Sequence, residues 1–254
     1  MNLAVWNIRH GKELEQQKVS RLLSGGGDFE PPDLAVFLEI SGADPEPAGG
    51  VWGPRHKNAL SPDSGIRLWH GKGAAVTPLD APDFSDVNVA AAYYVSPSSA
   101  GGMKFTPFVL IPFWAVPVSQ SENFEKLKTA LRRCRETFFS GTGTQNVLIA
   151  GDTNLTDPKR DALNDFLEDF NRKYAAGMTL LDLAAPAEKA ASIPGKRPHD
   201  TLLHTDKKWY ACDLAIASGT FAPHIKGSIG RCAVWNGPGG TAYSDHLPLY
   251  FTVS

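Results

Sequence analysis

A series of short apolar runs constrains this 254-residue chain more than any other feature. They are "LAVWNI" (3–8), "DLAVFLEI" (33–40), "GAAVTPL" (73–79), "VNVAAAYYV" (87–95), "PFVLIPFWAVPV" (107–118), "NVLIAGD" (146–152), "CDLAIAS" (212–218) and "LPLYFTV" (247–253). Most are rich in Val, Ile or aromatic residues and several alternate with polar positions, so they read as strands, some covered on both faces. Two helices interleave with them. Ser119-Gln120-Ser121-Glu122 is a capping-box pattern ahead of Phe124, Leu127, Leu131, Cys134 and Phe138 on one face. Asp157-Pro158 reads as a cap with a first-turn proline ahead of Leu163, Phe166, Leu167 and Phe170. A third helix is expected over about 12–23, stopped by Gly25-Gly26-Gly27.

Loops rich in Pro, Gly and Ser are expected at 41–65, 80–86, 96–103, 184–200 and 235–244. No repeat or linker divides the sequence, so residues 1–254 are expected to form a single domain of α/β class, strands layered with helices. With 42% hydrophobic residues, a sizeable core can form.

A formal net charge of −2 gives no basic surplus to hold nucleic acid, so such a partner must be held by a local patch or a metal. Cys134, Cys212 and Cys232 lie far apart without metal-type spacing and read as small core residues of a reducing compartment, with one disulfide left open. No run reaches the roughly 20 apolar residues of a membrane span, and no signal-peptide pattern opens the chain. A cytoplasmic monomer is the expectation.

Acids, amides and a histidine gather at the ends of the apolar runs. Asn7 and Glu39 close the first two; Asp152 and Asn154 follow "NVLIAG"; Asp213 opens "DLAIAS"; Asp245-His246 precede the last strand. Strand ends in layered α/β folds carry binding and catalytic groups because a rigid sheet positions them. Each also has a plain structural reading: "GDTN" is good turn chemistry, Asp245 could cap a turn, and Glu39 could be held in a salt bridge. As a set they are chemically coherent. Hard oxygen ligands without a Cys/His cluster suit Mg²⁺ or Mn²⁺. A carboxylate beside such an ion can activate water, an amide can donate to a phosphoryl group, and a carboxylate-held histidine can stabilise charge or move a proton.

The ordered motifs "WNI" (6–8), "LE" (38–39), "GDTN" (151–154), "CDLAIAS" (212–218) and "SDHLPL" (244–249) resemble the endonuclease/exonuclease/phosphatase (DNase I-like, exonuclease III-like) superfamily, over nearly the whole chain. That resemblance implies a four-layer α/β sandwich of two packed mixed sheets flanked by helices. It also implies a metal site of Asn7, Glu39 and Asp245 holding Mg²⁺ or Mn²⁺. Asp152 would activate water, Asn154 and His246 would meet the phosphate, and Asp213 would orient His246. One family element is missing: where relatives carry Thr-His-Leu or Tyr-Val-Pro-Asn, this chain reads "WAVPVS" (114–119), with Ala115 and Val118 at the two key places. Substitutes to consider are Arg9, His10, Arg67, His70, Trp114 and His204. The expected activity is metal-dependent phosphodiester hydrolysis, with DNA as the leading substrate. A phosphorylated small molecule or lipid head group is the alternative. A binding protein with weakened chemistry on the same fold is the second.

Overall fold

The computed structural model describes residues 1–8, 15–24, 30–40, 50–56, 64–84, 89–116, 118–139, 145–174, 177–183, 200–203, 208–230, 244 and 246–254. Its first sheet runs β14 (Ile225–Ile229), β15 (Leu249–Val253), β1 (Asn2–Asn7), β2 (Leu34–Ile40), β4 (Ser64–His70), β3 (Gly50–His56). The second runs β10 (Met178–Leu180), β13 (Asp213–Ser218), β9 (Val147–Asp152), β8 (Phe108–Trp114), β7 (Ala92–Pro97), β5 (Ala74–Leu79), with β6 (Val89–Ala90) also on β8. A small pair, β11 (Leu202–Leu203) and β12 (Trp209–Tyr210), stands apart.

Strand alternation sorts the apolar side chains into three layers of contact. Leu3, Val5, Val36 and Leu38 from one sheet meet Phe108, Leu110, Leu148 and Ala215 from the other. The outer face of the second sheet packs Ile111, Phe113 and Ile149 on helices α2 (Gln120–Phe138) and α3 (Asp157–Tyr174). On the outer face of the first, Trp6, Ala35 and Phe37 meet Leu22 of helix α1 (Glu15–Leu23). Helix, sheet, sheet, helices: this is the four-layer α/β sandwich. Among the described residues no helix is long and apolar enough to cross a membrane.

Among the described residues each sheet contains one parallel pair, β1 with β2 and β8 with β9, and each pair is joined through a helix, α1 and α2 respectively. The two βαβ units direct the carboxyl ends of their strands to where ligands bind in layered α/β folds.

Local chemistry accounts for the elements and for the departures from expectation. The Ser119 hydroxyl accepts the Glu122 amide at 3.1 Å and opens α2, whose buried side is the expected Phe124, Leu127, Leu131, Cys134, Phe138 face. Helix α3 begins one residue early: the Thr156 carbonyl accepts the amides of Lys159 and Arg160, which makes Thr156 the cap and Asp157 the first helical residue. Asp157 then faces the positive end of the helix dipole. The expected loop at 41–65 contains β3 and the start of β4; β3 is an edge strand, where Gly53 and Pro54 are tolerated. The run 87–95 divides at Ala91 into β6 and β7, which share one register on β8. The third helix begins at Glu15 rather than 12, with residues 12–14 outside the described set. Cys134 and Cys212 are free and buried, and Cys232 lies outside the described residues.

Candidate active site

Five of the candidate residues meet at one edge of the sandwich. Asn7 ends β1 and Asp152 ends β9; Asp213 opens β13 directly opposite Asp152; His246 lies just before β15. A glycine makes the approach possible. Gly151 has φ 146°, and a Cβ there would stand 2.2 Å from the Phe113 carbonyl oxygen, so only glycine lets β9 run this close to β8.

Asp152 is 1% exposed and sits in a ring of donors. Its Oδ1 accepts the Asn154 amide at 2.8 Å, and its Oδ2 accepts Asn7 Nδ2 at 2.9 Å and Asn154 Nδ2 at 3.2 Å. Asn154 reaches it by taking a left-handed backbone, φ 50°, which asparagine adopts more readily than most residues. The loop is pinned further by Thr153, whose hydroxyl donates to the Cys212 carbonyl at 2.8 Å. Thr201 completes the frame: its hydroxyl accepts the Asp213 amide at 3.1 Å, and its carbonyl accepts the Leu247 amide.

His246 Nδ1 is 2.8 Å from Asp213 Oδ2. In the tautomer with its proton on Nδ1 the imidazole donates to Asp213, and Nε2 faces Asp152, 3.9 Å from its Oδ2. The imidazole is fixed by its backbone as well. Its amide donates to Ser244 Oγ at 3.1 Å, Ser244 Oγ donates to the Asn7 carbonyl at 2.8 Å, and Trp6 Nε1 donates to the His246 carbonyl at 2.9 Å.

Burial dominates the electrostatics. It is the largest influence raising the Asp152 carboxyl to about 7; His246 and the Asn154 amide pull against the rise, and the charges of Asp213 and Glu39 add to it. Burial, with Asp152 and Asp213 beside it, also pushes the Cys212 thiol up, which leaves it an inert core group. Glu39 enters this field from β2. It has φ 59° and occupies a one-residue bulge between Phe37 and Ile40, the device by which a strand re-aims a side chain.

The carboxylates and the amide are hard oxygen donors, which suit a divalent cation, and the imidazole adds a nitrogen donor. Among the described residues, Asp152, Asp213 and His246 bring ligand atoms within 4.8 Å of one another. Because His246 Nδ1 is engaged by Asp213, the imidazole has only Nε2 to offer an ion. Asp245 lies outside the described residues.

The segment at which the sequence resemblance leads one to expect a histidine or tyrosine is clear in the fold. Ala115 is fully buried; its amide donates to the Asp152 carbonyl at 2.8 Å and its carbonyl accepts Asn154 Nδ2 at 2.6 Å, while Val118 is an exposed apolar side chain. His70 pairs with Leu34, at the opposite end of β2 from Glu39. Arg67 and Trp114 are buried within their strands, and Arg9, His10 and His204 lie outside the described residues. Gln120, Thr201 and Ser244 belong to the framework but were not apparent from sequence. Gln120 lies inside the capping box, where only its helix signal is visible.

Neither a family model nor a curated protein matches the chain. Solved structures do. The endonuclease domain of TRAS1, a telomere-specific non-LTR retrotransposon, aligns with TM-score 0.63 at 11% identity over 99% of this chain and 97% of its own. TDP2 of D. rerio, complexed with a single-strand DNA product, aligns with TM-score 0.61 at 15% identity over 100% and 98%. An endonuclease/exonuclease/phosphatase family protein of Bacteroides thetaiotaomicron aligns with TM-score 0.61 at 10% identity over 99% and 96%. With its two mixed sheets, its flanking helices and full-length superposition on these structures, the chain has the fold of the DNase I-like endonuclease/exonuclease/phosphatase superfamily.

Proposed function

We propose that this chain is a metal-assisted phosphodiesterase that hydrolyses phosphate esters by attack of water, with DNA as its substrate. The observation that carries the reading is the buried pairing of Asp152 with the Asp213-held imidazole of His246. A carboxyl poised near neutrality is suited to take a proton at working pH, and Asp152 has that character. In this reading Asp152 accepts the proton of the attacking water at a carboxylate oxygen, while Asn7 and Asn154 hold that carboxylate in place. Of the two Asn154 Nδ2 hydrogen bonds, the longer, to Asp152 Oδ2, is the one exchanged for a phosphoryl oxygen. Protonated His246 donates from Nε2 to the developing phosphoryl charge, and Asp213 stabilises that imidazolium and fixes its orientation. Asn7, Glu39 and Asp245 would hold Mg²⁺ or Mn²⁺. When bound, that ion supplies Lewis-acid stabilisation of phosphoryl oxygens and lowers the pKa of coordinated water.

The single-strand DNA product carried by the structurally similar TDP2 of D. rerio supports DNA as the substrate. The net charge of −2 supports a second reading, hydrolysis of a phosphorylated small molecule, which needs no extended basic track. Hydrolysis of bis-p-nitrophenyl phosphate and p-nitrophenyl phosphate with Mg²⁺, Mn²⁺ or EDTA, beside Asp152→Asn, tests the proposal. Metal-dependent diester cleavage lost in the variant is expected. Cleavage of the monoester alone would favour the second reading. A folded protein that cleaves neither these esters nor DNA and binds no Mn²⁺ would overturn both.

A further inference from the structure

The segment that carries the family's missing side chain has a different role here. Immediately after it, Gln120, the first residue of α2, reaches across to the Asp152 loop with both ends of its amide. Gln120 Nε2 donates to the Asn154 carbonyl at 2.5 Å, and Gln120 Oε1 accepts the Thr156 amide at 2.9 Å and, more weakly, its hydroxyl at 3.4 Å. Thr156 is the cap of α3, so one side chain ties the start of α2 to the start of α3 through the loop between Asp152 and the helix. Between those two tethers Asn154 is held at φ 50°, with Nδ2 donating to Ala115 and Asp152. A non-glycine residue in the left-handed region persists only where its surroundings fix it. Ala115 secures the side-chain end of Asn154, and Gln120 secures the backbone end.

We propose that Gln120 is a positioning residue. It holds Asn154 in the left-handed conformation that directs its amide to Asp152, so that segment 115–120 serves the reaction by orienting the loop rather than by touching phosphate. The proposal rests on the phosphodiesterase reading for its effect on turnover, but its structural content stands apart from that reading. Glutamine is required for a specific reason. It donates at one end and accepts at the other, whereas methionine of similar length does neither, and glutamate can accept from Thr156 but turns an oxygen on the Asn154 carbonyl. Gln120 is partly exposed at the first turn of its helix, so these replacements leave the core intact.

The test is a double-mutant cycle of Gln120→Met with Asn154→Ala, read in two ways on the metal-loaded protein. The first is kcat and KM for bis-p-nitrophenyl phosphate with Mn²⁺. Gln120→Met should lower kcat between about tenfold and hundredfold with KM unchanged, as a displaced positioned group does. In the Asn154→Ala background the same change should cost less than about twofold, because its effect passes through Asn154. The second readout is amide hydrogen exchange at Asn154 and Thr156. Gln120→Met should raise exchange at Thr156, and Gln120→Glu should preserve more of that protection than Gln120→Met. Equal losses of turnover in both backgrounds, or unchanged exchange at Thr156, would overturn the role of Gln120. A wild-type protein that cleaves neither the model esters nor DNA and binds no Mn²⁺, but in which Gln120→Met still deprotects Thr156, would overturn the phosphodiesterase reading and leave the clamp standing.

Discussion

At Asp152 the proposed chemistry and stability oppose each other, and pH separates them. Its carboxyl lies near 3.8 in an unfolded chain and about 7 in the metal-free fold, where burial and the charges of Asp213 and Glu39 disfavour ionisation. Between those values the native state binds more protons than the unfolded state, so stability falls as pH rises through the window and levels off above about 7. Between pH 5 and pH 8 this one group should remove about 3 kcal/mol, roughly two pH units at 1.36 kcal/mol each. For 254 residues the unfolding entropy is about 0.5 kcal/mol/K, so the loss corresponds to about 5 °C in Tm. Asp152→Asn cannot titrate. Its amide places a donor against Asn7 Nδ2 or Asn154 Nδ2, a penalty that is constant with pH. Thermal unfolding of both proteins in EDTA from pH 5 to pH 8 reports the joint titration of Asp152 with the His246 imidazole beside it, because groups away from this pair titrate alike in both. The Tm difference between variant and wild type should shift by about 5 °C in favour of the variant. Added Mn²⁺ at pH 8 should stabilise wild type more than the variant. Parallel Tm curves would refute the argument, since they would mean that Asp152 ionises freely in the fold.

Other substitutions separate the remaining parts. Changing His246→Ala should lower diester turnover by about 10² to 10⁴, and adding Asp213→Asn to it should cost little more, since Asp213 acts through the imidazole. Replacing Glu39 with glycine removes the carboxylate and relieves its left-handed backbone, so Tm should hold or rise by an amount worth about 1 kcal/mol while Mn²⁺ affinity, measured by calorimetry, falls. With Gly151→Ala, whose Cβ meets the Phe113 carbonyl, urea unfolding should report a loss above about 2 kcal/mol and turnover should disappear.

What the sequence revealed depended on how each element is covered. Strands β1, β2, β8, β9 and β13 lie inside the sheets, where burial on both faces demands unbroken apolar runs, and each was legible. Strand β3 is an edge strand broken by Gly53 and Pro54, and the fully buried Arg67 interrupts the pattern of β4, so neither stood out. The same division runs through the site. Acids, amides and the histidine at strand ends are conspicuous by residue type, and the structure brings Asn7, Asp152, Asn154, Asp213 and His246 into one cluster. The framework around them was hidden because it depends on tertiary neighbours: Gln120 is defined by the loop it crosses to and Thr201 by β13 and the His246 segment, while Glu39, conspicuous as a strand-end acid, gave no sign of the bulge that sets its backbone.

The pairing of β1 with β15 sets a schedule for synthesis. These strands lie side by side within the first sheet, with Trp6 bonded to the His246 carbonyl, yet one is made some 240 residues before the other. At ribosomal rates, that interval is about 10–50 s. Throughout it β1 can pair with β2 but presents an open, apolar edge where β15 belongs, the kind of surface on which nascent chains associate. Asn7 likewise waits for its histidine. Slowed elongation late in the message should therefore reduce the yield of soluble protein more than the same delay placed early, and no ribosome-bound fragment that ends before residue 246 can contain the assembled site.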